Sequence, residues 1–204
     1  MGKVLQFSPK PPVKFDFERV KKRKKDIPTQ RDQLSLFSSP GAQFFRLPSD
    51  ISPFEEALLL DERGDAHTED AYRRAIAEGD SLADAYCNLG ILESKAGRVA
   101  KAFDCFTKSL EHDPRHFESH YNLGNLYLDE GNVRLARMHY ELAAKVEPGF
   151  PNLYFNLGLV HALNNDYPAA LTTLSKYKEL SPKDEGAKTD ELLENLKRSV
   201  LGDK

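Results

Sequence analysis

The 204-residue sequence predicts an all-α solenoid built from antiparallel helix pairs. Three sets of residues recur in it every 34 positions. They are Gly90, Gly124 and Gly158; then Gly97, Gly131 and Asn165; then Pro114, Pro148 and Pro182. A period of this length marks a repeat architecture, in which each unit buries its apolar face by stacking on its neighbours. The second and third sets are helix-stop residues, so each period contains two helices.

The chain begins with a stretch of different character. Residues 1–48 contain six prolines, a basic run and scattered Phe, with no sustained helical or alternating pattern. This composition predicts a mostly disordered basic arm. The helical part starts at Ser52, which supplies an N-cap hydroxyl before Pro53 at the first helical position and Glu55 at the third. We expect that helix to end near Arg63.

The units between these stops share one residue pattern. In 83–116 it reads Tyr86, Leu89, Gly90, Glu93, Ala102, Phe106 and Pro114; in 117–150, His120, Leu123, Gly124, Tyr127, Ala136, Tyr140 and Pro148; in 151–184, Tyr154, Leu157, Gly158, His161, Ala170, Leu174 and Pro182. The pattern resembles the tetratricopeptide repeat, whose signature is Trp-x2-Leu-Gly-x2-Tyr, then Ala-x3-Phe, then Pro. The resemblance implies a right-handed superhelical solenoid with a concave groove.

The repeat domain is expected to span residues 49–204. A weaker first unit, 49–82, keeps Tyr72 and Ala75 but has Glu56 and Asp80 in place of the glycine and the proline, as terminal repeats often do. After the unit 151–184, residues 185–201 predict an amphipathic capping helix, because their apolar residues fall on one side.

The glycines at 90, 124 and 158 interrupt helices, where each costs about 1 kcal/mol relative to alanine. Their recurrence predicts close approach of a neighbouring helix. Phe106, Tyr140 and Leu174 are expected to fill the space beside them. We therefore assign the glycines to packing.

The resemblance places the binding surface on the first helix of each unit. The candidate groove residues are Asn88, Ile91, Lys95, Tyr121, Asn122, Asn125, Asp129, Phe155, Asn156 and Leu159. Proteins of this family hold an extended main chain with a ladder of asparagines, because an amide both donates and accepts hydrogen bonds. Tyr121, Phe155 and Leu159 are candidate side-chain anchors. The alternative is that each amide bonds only its neighbouring helix or water.

Acidic residues in the groove argue against one specific binding mode. Some members of the family clamp a C-terminal carboxylate with Lys or Arg from the first helices. Here Asp84 and Glu118 stand at one such place. The sequence therefore disfavours a carboxylate clamp.

The arm contains two short signals. The basic run comprises Arg19, Lys21, Lys22, Arg23, Lys24 and Lys25. This run is expected to be solvated, to fold back on the acidic repeats, or to contact nucleic acid non-specifically. The second signal, Gln33, Leu34, Ser35, Leu36 and Phe37, resembles the linear motif that bacterial proteins insert into the replicative sliding clamp. The alternative is that these five residues form an apolar patch that docks on the repeats, for example in the groove itself.

Several function classes find no support in the sequence. No catalytic motif, cofactor site or membrane-spanning run is recognised. His112, His116 and His120 recur every four residues, but Pro114 breaks the helix that would align them as metal ligands. Cys87 and Cys105 form no CxxC pair, which favours a reducing cytoplasm. We predict a non-enzymatic, cytoplasmic scaffold that binds a protein or peptide. The alternatives are an adaptor tethered by its arm to the sliding clamp or nucleic acid, and self-assembly through the solenoid ends.

Overall fold

The computed structural model describes residues 13–21 and 51–181, together with residues 190, 193 and 194. Within these ranges the chain forms eight helices and no strand. They are α1 (Pro53–Arg63), α2 (Thr68–Ala77), α3 (Leu82–Lys95), α4 (Val99–His112), α5 (Phe117–Asp129), α6 (Val133–Val146), α7 (Pro151–Leu163) and α8 (Tyr167–Leu180).

The helix boundaries follow the capping signals of the sequence. At the start of α1, the Ser52 hydroxyl accepts a hydrogen bond from the Glu55 N–H at 3.3 Å, and Pro53 is the first helical residue. After α3, α5 and α7, the chain turns through left-handed residues with φ of 72°, 74° and 60°. These residues are Gly97, Gly131 and Asn165. The helix stops predicted from the sequence are confirmed.

The helices pack as four consecutive pairs, α1 with α2, α3 with α4, α5 with α6, and α7 with α8. Each second helix also packs on the first helix of the next unit. In addition, α5 contacts both α3 and α7, so the first helices share one face of the stack. We call this face the groove. The predicted all-α solenoid is confirmed.

Large side chains occupy the space beside the helical glycines. A Cβ atom built on Gly124 lies 2.5 Å from Cε1 of Tyr140, and one on Gly158 lies 2.6 Å from Cγ of Leu174. A Cβ atom built on Gly90 lies 2.8 Å from Cε1 of Phe106. No real Cβ tolerates such distances. The assignment of these glycines to packing is confirmed.

Part of the predicted capping helix is described. Asp190, Leu193 and Glu194 are helical, and Leu193 is buried in an apolar cluster with Leu174 and Tyr177 of α8. The Lys178 ammonium bonds the Asp190 carboxylate at 2.5 Å. The rest of the predicted helix lies outside the described residues.

Candidate functional site

Residues 13–21 occupy the groove. This stretch, which we call the arm segment, is neither helix nor strand and contacts α3, α5 and α7. The prediction of a mostly disordered arm is therefore wrong for these nine residues. The physical reason is that the asparagines that bond the main chain of this stretch lie between 68 and 141 residues away in sequence, beyond the reach of any local pattern.

Three asparagines, one from each first helix, hold the main chain of the arm segment. Asn122 accepts from the Glu18 N–H at 2.8 Å and donates to the Glu18 carbonyl at 2.8 Å. Asn156 makes the same pair of bonds with Phe15, at 2.7 and 3.0 Å. Asn88 makes them with Val20, at 2.9 and 3.1 Å. We call Asn88, Asn122 and Asn156 the asparagine ladder.

The bonding pattern defines the conformation and direction of the segment. The N–H and C=O of one residue point to the same side only in an extended backbone, as in a hydrogen-bonded pair of an antiparallel sheet. The segment therefore runs extended at each rung, from the last unit towards the second. Glu18 and Val20 are two residues apart, so in an extended chain their main-chain groups face the same side. Between the Phe15 and Glu18 rungs, the Asp16 carboxylate accepts a hydrogen bond from the Phe17 N–H at 2.8 Å.

Each ladder amide is oriented by a partner behind it. The Asn88 amide N–H also donates to the Tyr72 hydroxyl at 3.1 Å, and Asn122 contacts the Cys87 sulfur at 3.4 Å. Such partners fix the amides before a ligand arrives. The ladder is therefore preorganised, which lowers the cost of binding.

The amide of the last rung is oriented by a chain of hydrogen bonds. The Tyr140 hydroxyl donates to the Asn125 carbonyl oxygen at 2.6 Å, and the Asn156 amide donates to that same oxygen at 2.8 Å. The Asn156 amide nitrogen also lies 3.1 Å from the Tyr121 hydroxyl oxygen. Asn125 and Tyr121 are fully buried one layer behind the ladder. Burial raises the pKa of the Tyr121 phenol well above its usual value, so its proton stays in this network.

An aromatic pocket receives the first anchor of the arm segment. The Phe15 ring meets Phe155 edge-on at 5.1 Å between centroids, and lies 5.9 Å from Tyr177. Leu159 belongs to the same cluster of buried apolar residues. Phe155 and Leu159 were candidate groove residues from the sequence, whereas Tyr177 was not among them.

The other end of the segment is anchored by an aliphatic side chain. Val20 is 2% exposed and belongs to the apolar cluster that contains Ile91 and Cys87. Between the two anchors, the Phe17 ring stacks at 6.1 Å on Phe106. The segment thus contributes directly to the apolar core.

Ion pairs connect the basic side chains of the segment to acidic residues of the helices. The Arg19 guanidinium pairs with Asp61 of α1, whose carboxylate is buried and also accepts from the Tyr72 hydroxyl. The Lys14 ammonium lies 3.3 Å from the Asp129 carboxylate. Lys21, in contrast, is exposed. The Arg19 contact agrees with the alternative in which the basic run folds back on the acidic repeats. Of that run, the structure describes Arg19 and Lys21.

The carboxylate of Glu18 is placed less favourably in the groove than the basic side chains of the segment. Burial raises the pKa of the Glu18 carboxyl, and the negative charge of Glu118 raises it further, while Lys21 lowers it. The charged form of Glu18 is thus disfavoured in the groove. The main-chain bonds of this residue to Asn122 are unaffected by its charge.

The remaining predicted residues include one that is described and two groups that are not. Lys95 is exposed at the end of α3. Gln33–Phe37 and Lys22–Lys25 lie outside the described residues. Conversely, Asp61 and Tyr72 were missed, because they belong to the weak first unit, in which the sequence shows no ladder asparagine.

The described residues contain no group of three or more His, Cys, Asp or Glu side chains that would hold a metal. His116 instead bonds Asp84 at 2.8 Å, and His120 bonds the Pro114 carbonyl at 3.1 Å. Burial raises the pKa of the Cys105 thiol to about 11, which suppresses its nucleophilic thiolate form.

None of the described helices is both long and apolar enough to cross a membrane.

Family models match two stretches of the chain, residues 83–116 and residues 121–185, and both models describe the tetratricopeptide repeat. The matched stretches fall on the helix pairs α3 to α8, and the fold is the one that the repeat forms. The chain belongs to the tetratricopeptide repeat family. The asparagine ladder thus stands on the first helices of three tetratricopeptide units.

Curated relatives share the repeats over part of their length. Tetratricopeptide repeat protein 8 of Mus musculus is 28% identical over 125 residues, which are 61% of this chain and 24% of the relative. The chain spans between 16% and 24% of the length of the curated relatives that it matches.

Solved tetratricopeptide structures show the same fold. The first such domain of Spaghetti (RPAP3), bound to the HSP90 peptide SRMEEVD, superimposes with a TM-score of 0.55 at 19% identity, covering 59% of this chain and 94% of that one. The secretion chaperone SycD of Yersinia enterocolitica, in complex with a peptide of the translocator YopD, gives 0.52 at 19% identity, covering 55% and 89%.

Proposed function

We propose that this tetratricopeptide repeat protein is an interaction scaffold, and that its groove binds an extended segment of a partner protein. The observation that carries the proposal is the asparagine ladder, which holds a peptide main chain by paired bonds at three rungs. The occupant in this structure is the arm segment. The same donors and acceptors fit the main chain of any extended peptide.

The strength of such binding follows from the number of contacts. Six hydrogen bonds contribute about 0.5 to 1.5 kcal/mol each, or roughly 3 to 9 kcal/mol in all. Ordering the peptide costs part of this sum. Micromolar affinity requires about 8 kcal/mol, so side-chain anchors such as those of Phe15 and Val20 are needed as well.

The fold neighbours support this proposal. Two of the superimposed tetratricopeptide structures were solved with a bound peptide, from HSP90 in one and from YopD in the other. Both are similar to this chain in fold. Peptide binding in this fold therefore has precedents, and the groove of this chain has the hydrogen-bonding groups for it.

The test removes the anchors of the arm segment from the full-length chain. The open-groove variant carries Phe15→Ser and Val20→Ser, and its control carries Val13→Ser at an exposed position. A fluorescent peptide with the sequence of residues 13–21 is titrated into each protein. We expect binding to the open-groove variant, and loss of that binding when Asn122→Ala is added. Absence of binding by a folded open-groove variant contradicts the proposal.

We further infer that the protein acts in the cytoplasm, since both described cysteines are free and buried, as suits a reducing compartment. We also infer that it acts by binding and without catalysis. The contacts predicted for the rest of the arm, Gln33–Phe37 with the sliding clamp and the basic run with nucleic acid, stay predictions. No comparison supports them. Replacing Gln33, Leu36 and Phe37 by Ala tests the first contact, and replacing Lys22, Arg23, Lys24 and Lys25 by Ser tests the second. Both changes keep the connection between the arm segment and α1 at its full length.

A further inference from the structure

The arm segment shows which side chains the groove selects. The ladder fixes the register of the bound main chain, and so it determines which residues face the helices. Val13, Asp16 and Lys21 are exposed, whereas the other residues of the segment contact the helices. Among these, Phe15, Arg19 and Val20 meet the most restrictive surroundings, which are two aromatic rings, a buried carboxylate and an enclosing apolar cluster.

The pocket beside the last rung suits an aromatic ring. Phe15 meets the edge or face of two aromatic side chains, Phe155 and Tyr177, at 5.1 and 5.9 Å. Pairs at these separations gain energy beyond simple burial, and an aliphatic side chain has no such gain. The position of Phe15 in a bound peptide is thus selective for aromatic residues.

The pocket beside the Asn88 rung suits a small aliphatic residue that is preceded by a basic residue. Val20 is almost fully enclosed, which leaves little room for a longer side chain. The preceding Arg19 meets the carboxylate of Asp61, which is 7% exposed. A buried carboxylate needs a cationic partner, so it disfavours an acidic or neutral residue at this position.

We propose that the partner segment carries an aromatic residue, followed four and five residues later by a basic and a β-branched aliphatic residue, and that it binds by displacing the arm segment. This inference rests on the proposed function of the groove. It names the partner as an extended segment of the pattern aromatic-x-x-x-basic-aliphatic. The arm segment is then a built-in competitor with the same pattern.

The covalent connection makes this competition substantial. The arm segment is joined to α1 through residues 22–52, so it meets the groove as an intramolecular ligand. Tethered ligands typically have an effective concentration on the order of 1 mM. For an intrinsic dissociation constant of about 10 to 100 µM, an external peptide is weakened about 10- to 100-fold. A partner must therefore bind more tightly than the arm segment or arrive at high local concentration.

The test uses the full-length open-groove variant and a set of nine-residue peptides based on residues 13–21. Three peptides change the proposed determinants, with Phe15→Ala, Arg19→Glu or Val20→Ala. The matched control peptide carries Val13→Ser, at a position exposed to solvent. Dissociation constants are measured by fluorescence anisotropy, and a thermal melt of each protein records whether it is folded and whether peptide raises its Tm.

We expect each determinant change to weaken binding by about tenfold or more, and the control to stay within about twofold. We also expect the wild-type chain and the Val13→Ser variant to bind the parent peptide about 10- to 100-fold more weakly than the open-groove variant. Equal binding of all four changed peptides would overturn the pattern while leaving the proposed function intact. Equal binding of the parent peptide by the wild-type chain and the open-groove variant would overturn the displacement. If no peptide binds the folded open-groove variant or raises its Tm, the proposed function fails, and this inference fails with it.

Discussion

The side-chain amide of Asn122 forms two hydrogen bonds with the main chain of Glu18, although 104 residues separate the two along the chain. One oxygen accepts from the Glu18 N–H and one nitrogen donates to the Glu18 carbonyl, each at 2.8 Å. An amide is the only uncharged side-chain group that offers a donor and an acceptor in this fixed geometry. This pair of hydrogen bonds therefore depends on the side chain of residue 122 and on the main chain of residue 18.

Replacing Asn122 by Ala is expected to release the arm segment. The change removes two main-chain hydrogen bonds, which together contribute about 1 to 3 kcal/mol to docking. Hydrogen exchange at residues 13–21 should accelerate by roughly 5- to 100-fold while the helices keep their protection. Asn152→Ala, near the start of α7 and outside the ladder, is the matched control. Unchanged exchange in Asn122→Ala would show that side-chain anchors alone hold the segment.

Replacing Arg19 by Ala is expected to loosen the segment more than replacing Lys21 by Ala. Arg19 neutralises the buried Asp61 carboxylate, whereas Lys21 is 85% exposed. Loss of a charged hydrogen bond costs about 1 to 3 kcal/mol, and an exposed pair contributes at most about 1 kcal/mol. Limited proteolysis after basic residues in the arm compares the two variants with the wild-type chain. Similar cleavage rates in both variants would contradict the role of Asp61.

Replacing Glu18 by Gln is expected to strengthen docking of the segment at pH 7. Burial raises the pKa of this carboxyl, and the neighbouring charge of Glu118 adds to the effect. Because the docked form has the higher pKa, docking of the wild-type segment strengthens as the pH falls towards 4.5. The Gln variant should dock tightly at both pH values. The measurement is the affinity of the peptide for the groove with Glu or Gln at this position, at pH 7 and pH 5. A weaker Gln peptide at pH 7 would be the contrary result.

A partly buried histidine pair is expected to make the repeats less stable in acid. His139 lies 3.2 Å from His120 between their Nδ1 atoms, and burial lowers the pKa of His139 to about 4. Since this value is below the unfolded value of about 6.5, the stabilisation is complete above pH 6.5 and is lost as the pH falls towards 4. Denaturant unfolding of wild type and His139→Phe between pH 7 and pH 4 should show a shallower decline in the variant. Parallel curves would rule out this source of acid sensitivity.

Replacing Gly124 by Val is expected to destabilise the solenoid by about 1 to 3 kcal/mol through overpacking. A Cβ at this position lies 2.5 Å from the Tyr140 ring, which is fully buried and has no room to move. Gly149→Ala is the control, because a Cβ there meets only the mobile end of the Glu147 side chain, at 3.2 Å. Thermal unfolding compares the two variants. A wild-type Tm for Gly124→Val would mean that the helices separate at little cost.

The sequence determined the repeat, because its cause is local and periodic. The 34-residue spacing of glycines and prolines specifies where helices pack closely and where they end, and these signals depend only on nearby residues. The same periodicity put Asn88, Asn122 and Asn156 at equivalent places. Their equivalence could be read without knowing the fold.

The tertiary structure alone decided what the ladder holds. Residues 13–21 have no periodic pattern, and their docking sums contacts with four different units, from Asp61 in the first to Phe155 in the last. Each contact is weak, and none is visible in a local stretch of sequence. The same is true of Asn125 and Tyr121, which share the helices of the groove residues but lie behind the ladder, because a helix presents neighbouring residues to different sides. Only the stacking of the units reveals which asparagine binds the peptide and which one supports it.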